Sequence, residues 1–262
     1  MSQDDEHYGV GRPSSEIPLV HDWQRPPRRP LHLTFDDGPD PTWTPQVLEL
    51  LALYEATATF FVLGWRMRDH PELIEEILAA GHDVELHGDA HLDHEIASLG
   101  DLVADTDAAL RLLRAHGVVP QWWRIPFGRP GEHTRALANA HGVRLVGWDI
   151  DTFDWRGDGW AEQQPSVRAV AEHGGVVLMH DAVAPGTPRA GAENTLEIVG
   201  AILQEATARQ TMVIPLPPAT LAGSVIPELP RTSPFERSEA TMREVQGRQV
   251  APDEAKPPTR RP

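Results

Sequence analysis

Two adjacent carboxylates, Asp36 and Asp37, follow an apolar segment in the motif TFDDGP (34–39). Burying such a pair is costly unless a cation or another partner occupies the site. Because neighbouring side chains point in different directions, one carboxylate can bind a metal ion while the other faces a reacting water. The alternative is a solvated turn at the end of a strand, which Asp-Gly-Pro also favours.

Two histidines spaced by four positions, His87 and His91, are a second candidate for metal binding. The chain contains no cysteine, so a third ligand should be a carboxylate. Two histidines and one carboxylate suit zinc or a similar transition metal that keeps an open position for water. Surface histidines in a His-rich loop remain the alternative, because His82 and His94 lie nearby in the sequence.

Three further segments carry charged or titratable groups. Arg124 in RIPFG (124–128) could set a guanidinium against one of the acids, DTFDW (151–155) supplies carboxylates beside a tryptophan, and LMHD (178–181) ends in His180 and an acid. Each segment also has a purely structural interpretation. These interpretations are an arginine in an ion pair, a solvated acidic loop and a core histidine with satisfied hydrogen bonds.

All of these residues follow short apolar or β-branched segments that alternate with helical patterns. Such alternation predicts an α/β protein with a parallel sheet, closed as a barrel or open and doubly wound. Most of the candidate strands deliver polar groups at their carboxyl ends, and in a (β/α) barrel those ends converge on one mouth. An open sheet would gather ligands at one crevice instead. We therefore predict a parallel barrel of about seven strands, at residues 31–35, 58–63, 83–87, 122–126, 143–148, 175–180 and 211–216.

Composition excludes several classes of protein. The only lysine is Lys256, so a Schiff-base lysine or a phosphate-binding P-loop inside the fold is excluded. A net charge of −16 argues against a nucleic-acid partner. The sequence contains neither an apolar run of membrane-spanning length nor a signal-peptide pattern. We expect no membrane partner and a cytoplasmic location, with export by another route left open.

Proline density divides the chain into three parts. Of the 25 prolines, 15 fall in residues 1–30 and 215–262. We predict a Pro-rich N-terminal arm (1–30), one barrel domain (31–216) and a Pro-rich, disordered tail (217–262). Because the tail has little apolar periodicity, we expect truncation after Leu216 to leave stability and turnover nearly unchanged.

Five motifs occur in a fixed order over about residues 31–216: TFDDGP, HxxxH, RxPxG, DxxDW and LxHD. Together they resemble the motifs of the polysaccharide deacetylase family, the NodB-like carbohydrate esterases. The resemblance implies a deformed (β/α) barrel and metal-dependent removal of N-acetyl or similar acyl groups from amino-sugar poly- or oligosaccharides. Two departures stand out. The family usually has Thr or Ser where this chain has Gly88, so a hydroxyl that stabilises the loop is missing. The family also commonly acts outside the cytoplasm, whereas no export signal is visible.

The resemblance implies a metal site and a general base. Asp37, His87 and His91 would bind one divalent ion, for which we expect Zn²⁺. Asp36 would be the general base that takes a proton from the attacking water. Arg124 would orient that base.

The resemblance also implies an acid and a substrate pocket. His180 would be the general acid, tuned and held by Asp154. Trp155 and Leu178 would line the pocket for the acetyl methyl group. The backbone N–H of Phe127 would stabilise the oxyanion.

Two other functions remain open. One is hydrolysis of a small cytoplasmic amide or cyclic amide on the same fold, which the missing export signal favours. The other is a non-catalytic carbohydrate-binding protein. The presence of both Asp36 and His180 argues against the latter, because binding alone needs neither a base nor an acid. The sequence leaves the oligomeric state open.

Overall fold

The computed structural model describes residues 29–184 and 186–221, together with Pro227. This part of the chain contains seven parallel strands and seven α-helices. In chain order they are β1 (Leu31–Asp36), α1 (Thr44–Leu53), β2 (Thr59–Leu63), α2 (Gly64–Asp69), α3 (Pro71–Ala79), β3 (Asp83–Gly88), α4 (Leu99–Ala115), β4 (Trp122–Trp123), α5 (Thr134–His141), β5 (Arg144–Leu145), β6 (Ile150–Asp151), α6 (Trp160–His173), β7 (Gly175–His180) and α7 (Glu193–Arg209).

The sheet is curled. Its strand order, β5-β4-β3-β2-β1-β7-β6, places β5 and β6 at opposite ends. The chain nevertheless runs from Leu145 to Ile150, a distance of at most about 17 Å, whereas a flat sheet would separate these strands by about 29 Å. The two edge strands must therefore face each other. This arrangement confirms the predicted deformed (β/α) barrel of about seven strands.

Strand alternation divides the side chains between two faces of the sheet. On β1, Leu33 and Phe35 belong to the main hydrophobic core that packs against the helices, whereas Asp36 faces into the barrel. The same alternation directs His87 on β3 and His180 on β7 inward. A second, smaller apolar cluster fills the inner face, and it consists of Phe61, Trp122, Val146, Val176, Leu216 and Ala219.

The predicted strand at residues 211–216 is wrong. This segment makes only an isolated bridge, between Val213 and Leu31. β2 begins to pair with β1 only at Thr34, so the edge of β1 near Leu31 is free to accept this short contact. Pro215 has no N–H to continue the pairing. The seventh strand is instead β6, which pairs with β7.

The ordered domain extends beyond Leu216, contrary to the predicted boundary. The indole Nε1 of Trp122 donates a hydrogen bond to the carbonyl oxygen of Pro217 at 3.0 Å. The Gly147 N–H donates to the carbonyl oxygen of Pro227 at 2.8 Å. The first part of the predicted tail therefore packs on the barrel.

The remaining terminal segments lie outside the described residues. This holds for the predicted arm up to residue 28, and for the predicted tail after residue 221 apart from Pro227. Their predicted disorder stays a prediction.

Within the described ranges, no helix is both long enough and apolar enough to span a membrane.

A chain that ends at Leu216 should be less stable than one that ends at Pro227. The shorter chain loses the acceptors of Trp122 and Gly147, and each lost hydrogen bond costs about 1 kcal/mol, more where a buried donor is left unpaired. For a domain of this size, we expect the melting temperature to fall by about 5–10 °C. Thermal denaturation of the two chains, followed by circular dichroism, checks this. Equal melting temperatures would mean that the domain ends at Leu216.

Candidate active site

Asp37, His87 and His91 form a cluster at the carboxyl ends of β1 and β3. Asp37 Oδ1 lies 3.2 Å from Nε2 of His87 and 3.2 Å from Nε2 of His91. One ligand atom from each residue lies within 4.8 Å of the others. Asp37 Oδ1 is buried and accepts no hydrogen bond from the described residues. A carboxylate oxygen that faces two imidazole nitrogens without a hydrogen bond fits a divalent cation of the zinc type.

The backbone at Asp37 explains how two adjacent acids can face different partners. Its φ is +74°, in the left-handed region that residues other than glycine rarely adopt. This turn takes its carboxylate out of the alternation that directs Asp36 into the barrel. Burial opposes ionisation of Asp37, but the imidazoles of His87 and His91 hold its pKa well below the ordinary value. The carboxylate is therefore ionised and available as a ligand.

The two histidines are oriented by different contacts. The Nδ1 atom of His87 donates a hydrogen bond to the carbonyl oxygen of Arg124 at 2.7 Å. That bond assigns the tautomer and leaves Nε2, which faces Asp37, free to bind a metal. The ring of His91 packs edge-on against the ring of Phe127, with centroids 4.6 Å apart.

Asp105 on α4 holds the loop between the two histidines. Its carboxylate accepts hydrogen bonds from the N–H groups of Asp89, at 2.9 Å, and Ala90, at 2.7 Å. Gly88 has a φ of +109°, and a Cβ there would lie 2.8 Å from Asp105 Oδ2. The carboxylate of Asp105 thus stabilises the loop at Gly88, where this chain lacks the Thr or Ser hydroxyl that is usual in the family. Sequence reasoning missed Asp105, because it is one of several acids on an amphipathic helix.

Asp36 is held by a buried arginine. Its Oδ1 accepts a hydrogen bond from Nη1 of Arg124 at 3.0 Å, and the same Nη1 donates to Thr34 Oγ1 at 2.6 Å. The guanidinium lies 4.3 Å from the centre of the Phe61 ring. These contacts leave Asp36 Oδ2 4.0 Å from Nε2 of His87, beside the metal-ligand cluster.

On the neighbouring strand β7, His180 is paired with Asp154. The Nδ1 atom of His180 donates to Asp154 Oδ1 at 2.8 Å, so Nε2 is left for the cavity. Burial opposes protonation of His180, but the charge of Asp154 raises its pKa to about 9. Burial likewise opposes ionisation of Asp154, but His180 lowers its pKa to about 2. His180 is therefore a protonated imidazole at neutral pH.

These groups surround one cavity of about 190 Å³. Arg124 and Asp154 lie directly behind it, each in contact with a lining residue. The other predicted site residues line the cavity: Asp36, Asp37, His87, His91, Phe127, Trp155, Leu178 and His180. The lining residues that sequence reasoning missed are Ile125, Gly128, Trp148, Ala184, Gly186, Thr187 and Pro188, while Asp151 was singled out only as a carboxylate.

Comparison with known proteins agrees with this geometry. A family model described as polysaccharide deacetylase matches residues 24–146. A chitooligosaccharide deacetylase of Bradyrhizobium sp. (strain ANU 289) is 36% identical over 170 residues, which cover 64% of this chain and 77% of that protein. A peptidoglycan-N-acetylglucosamine deacetylase of Bacillus cereus is 35% identical over 153 residues, which cover 58% of this chain and 72% of that protein.

A solved structure supports the fold independently. It is a family 4 carbohydrate esterase from Streptomyces lividans, which superposes with a TM-score of 0.64 at 24% identity and covers 77% of this chain and 98% of that one. The curled parallel sheet, the five motifs in order and the two sequence relatives all agree. The chain belongs to the polysaccharide deacetylase family, and the two relatives are named as deacetylases, which are hydrolases of amide bonds other than peptide bonds.

Proposed function

We propose that this protein removes N-acetyl or similar acyl groups from amino-sugar poly- or oligosaccharides in a metal-dependent hydrolysis. The observation that carries the proposal is one cavity that combines three candidate ligands with the carboxylate of Asp36 and the imidazole of His180. The names of the two relatives, which refer to chitooligosaccharide and peptidoglycan N-acetylglucosamine, support an amino-sugar substrate.

The first half of the reaction is the attack of water on the amide. Asp37, His87 and His91 would hold the ion, and we propose Zn²⁺ because the donor set is two imidazoles and a carboxylate. When bound, such an ion supplies Lewis acidity, which lowers the pKa of water to about 7 and polarises a carbonyl oxygen. Asp36, fixed by Arg124, takes the proton of the attacking water.

The second half is collapse of the tetrahedral intermediate. The backbone N–H of Phe127 donates to the oxyanion. His180 then passes its Nε2 proton to the departing nitrogen, because an amide cannot expel an amine anion. Trp155 and Leu178 contribute apolar walls to the cavity, against which the acetyl methyl group packs.

Substrate class is tested by measuring acetate release from N-acetylglucosamine oligomers and, in parallel, the hydrolysis products of small acyclic and cyclic amides by chromatography. We expect turnover of the oligomers. Turnover of the small amides alone would favour the alternative hydrolase. Binding of the oligomers without any turnover would favour a carbohydrate-binding protein.

Removal of the metal should abolish turnover. Chelator-treated protein should be inactive, and one equivalent of Zn²⁺ per chain should restore activity, because Asp37, His87 and His91 provide a single cluster of ligands. Elemental analysis before and after chelation gives the stoichiometry. Full activity in metal-free protein would contradict the proposal.

Substitutions of Asp36 and Asp37 should have different effects, although the two residues are adjacent. Asp37→Asn removes a ligand, so metal affinity should fall together with turnover. Asp36→Asn removes the base and leaves the ligands, so the metal should remain while turnover drops by about 10²–10⁴-fold. The two variants are matched in size and shape. Loss of metal from Asp36→Asn would mean that the roles are assigned wrongly.

The pH dependence of turnover should report the protonation of the general acid, His180. Since the pKa of His180 is raised to about 9, the protonated form is present below that pH and is lost as the pH rises through it. Turnover should therefore decline above about pH 9. Asp154→Asn removes the opposite charge and should move this alkaline limb to lower pH at unchanged metal content. An unmoved limb in Asp154→Asn would exclude His180 as the acid that the profile reports.

A further inference from the structure

Arg189 lies in the loop after β7, and no sequence motif covers it. Its side chain is 4% exposed. Nη1 donates to Thr195 Oγ1 at 2.6 Å and to Asp154 Oδ2 at 3.3 Å. Nη2 donates to the backbone carbonyl oxygens of His180 at 3.1 Å and Ala182 at 2.6 Å. One buried guanidinium therefore contacts the turn that carries Asp154, the end of β7 and the start of α7.

These contacts hold the carboxylate of Asp154 through Oδ2, the oxygen that does not accept from the imidazole of His180. Oδ2 receives Arg189, the hydroxyl of Thr195 at 2.7 Å and the backbone N–H of His180 at 2.9 Å. Oδ1 is then directed at Nδ1 of His180. Because a guanidinium is a planar fork of donors, it sets the orientation of a carboxylate as well as its charge.

Two buried carboxylates beside the cavity are held in the same way. Asp36 is held by the buried Arg124, and Asp154 is held by the buried Arg189. Both arginines sit behind their carboxylates and do not line the cavity. In both cases an arginine compensates the cost of burying a carboxylate.

We propose that Arg189 is a positioning residue for the acid: it acts through Asp154 to hold the imidazole of His180 toward the departing nitrogen. The inference rests on the proposed function, in which His180 donates the final proton. Arg189 itself does not line the cavity, and its hydrogen bonds go to none of the three candidate metal ligands. The same residue anchors the start of the loop whose Ala184, Thr187 and Pro188 line the cavity.

The leaving group provides a selective test. An amine leaves an amide only with a proton, whereas 4-nitrophenolate leaves 4-nitrophenyl acetate as an anion. Arg189→Met should lower kcat on an N-acetylglucosamine oligomer by about 10²-fold with KM little changed, and should change chelator-sensitive ester hydrolysis by less than about threefold. Arg189→Lys keeps a positive charge near Asp154 and should recover part of the amide turnover. His180→Ala should show the same selectivity as Arg189→Met.

Arg66 offers a matched control. It is another buried arginine, 9% exposed, whose Nη2 donates to the carbonyl oxygen of Val183 at 2.9 Å in the same loop. Its Nη1 donates to Asp40 at 3.0 Å, and it has no contact with Asp154. Arg66→Met removes a similar anchor without touching the acid. Any loss that it causes should be equal for amide and ester.

A readout without turnover separates this inference from the proposed function. In protein with ¹⁵N-labelled histidine, the Nδ1 proton of His180 should be visible by NMR because Asp154 holds it. It is assigned by its absence from His180→Ala. We expect it in the wild-type and Arg66→Met proteins, and expect it to be lost to exchange in Arg189→Met. If the wild-type protein hydrolyses neither substrate, the proposed function fails and this signal alone decides the role of Arg189.

Two results would overturn the inference. One is an equal loss of amide and ester turnover in Arg189→Met, and the other is a retained Nδ1 proton in that variant. If Arg189→Met does not fold, as judged by circular dichroism, Thr195→Val replaces it. That variant removes the hydroxyl that both Arg189 and Asp154 contact, and it should show the same selectivity to a smaller degree.

Discussion

The three buried carboxylates to which we assign a role, Asp36, Asp37 and Asp154, each need a positive partner, and the site is organised around that requirement. An isolated charge loses most of its hydration on burial, so it persists only where a partner compensates. Asp36 is compensated by Arg124, and Asp154 by His180 and Arg189. Asp37 differs, because its buried Oδ1 faces two imidazoles and accepts no hydrogen bond within the described part of the chain. A divalent cation would satisfy the same requirement there.

The curled sheet makes these pairings possible over long sequence separations. Asp36 and Arg124 are 88 residues apart, yet both lie on the inner face because strand side chains alternate. Their strands, β1 and β4, are separated by β2 and β3 in the sheet, so only curvature brings the two side chains into contact. The proposed base and the proposed acid lie on neighbouring strands, since Asp36 is paired in register with His180. The fold thus places the two groups side by side at the mouth of the barrel.

The barrel could be predicted because short apolar segments alternate with helical patterns and carry polar groups at their carboxyl ends. The ten predicted site residues come from five motifs in the order of the family. The structure places them in or directly behind one cavity, and their roles stay predictions. The residues outside those motifs that contact the site could not be predicted. Asp105 comes from a helix with several acids, and Arg189 from a loop without a motif, so only the tertiary structure brings them to the site. The segment at 211–216 has a strand-like composition, but only the end of β1 near Leu31 is free to pair with it. The departure at Gly88 was visible in the sequence, whereas its compensation by Asp105 was not.

We propose that Asp37, His87 and His91 together bind one catalytic ion. X-ray absorption at the zinc edge, on protein loaded with one equivalent of Zn²⁺, reports the ligands of the ion. Two imidazole nitrogens and at least one oxygen are expected at about 2.0–2.2 Å, with one imidazole contribution lost in His91→Ala. A spectrum that lacks the imidazole contributions, or one that is unchanged in His91→Ala, would place the ion elsewhere and contradict this assignment.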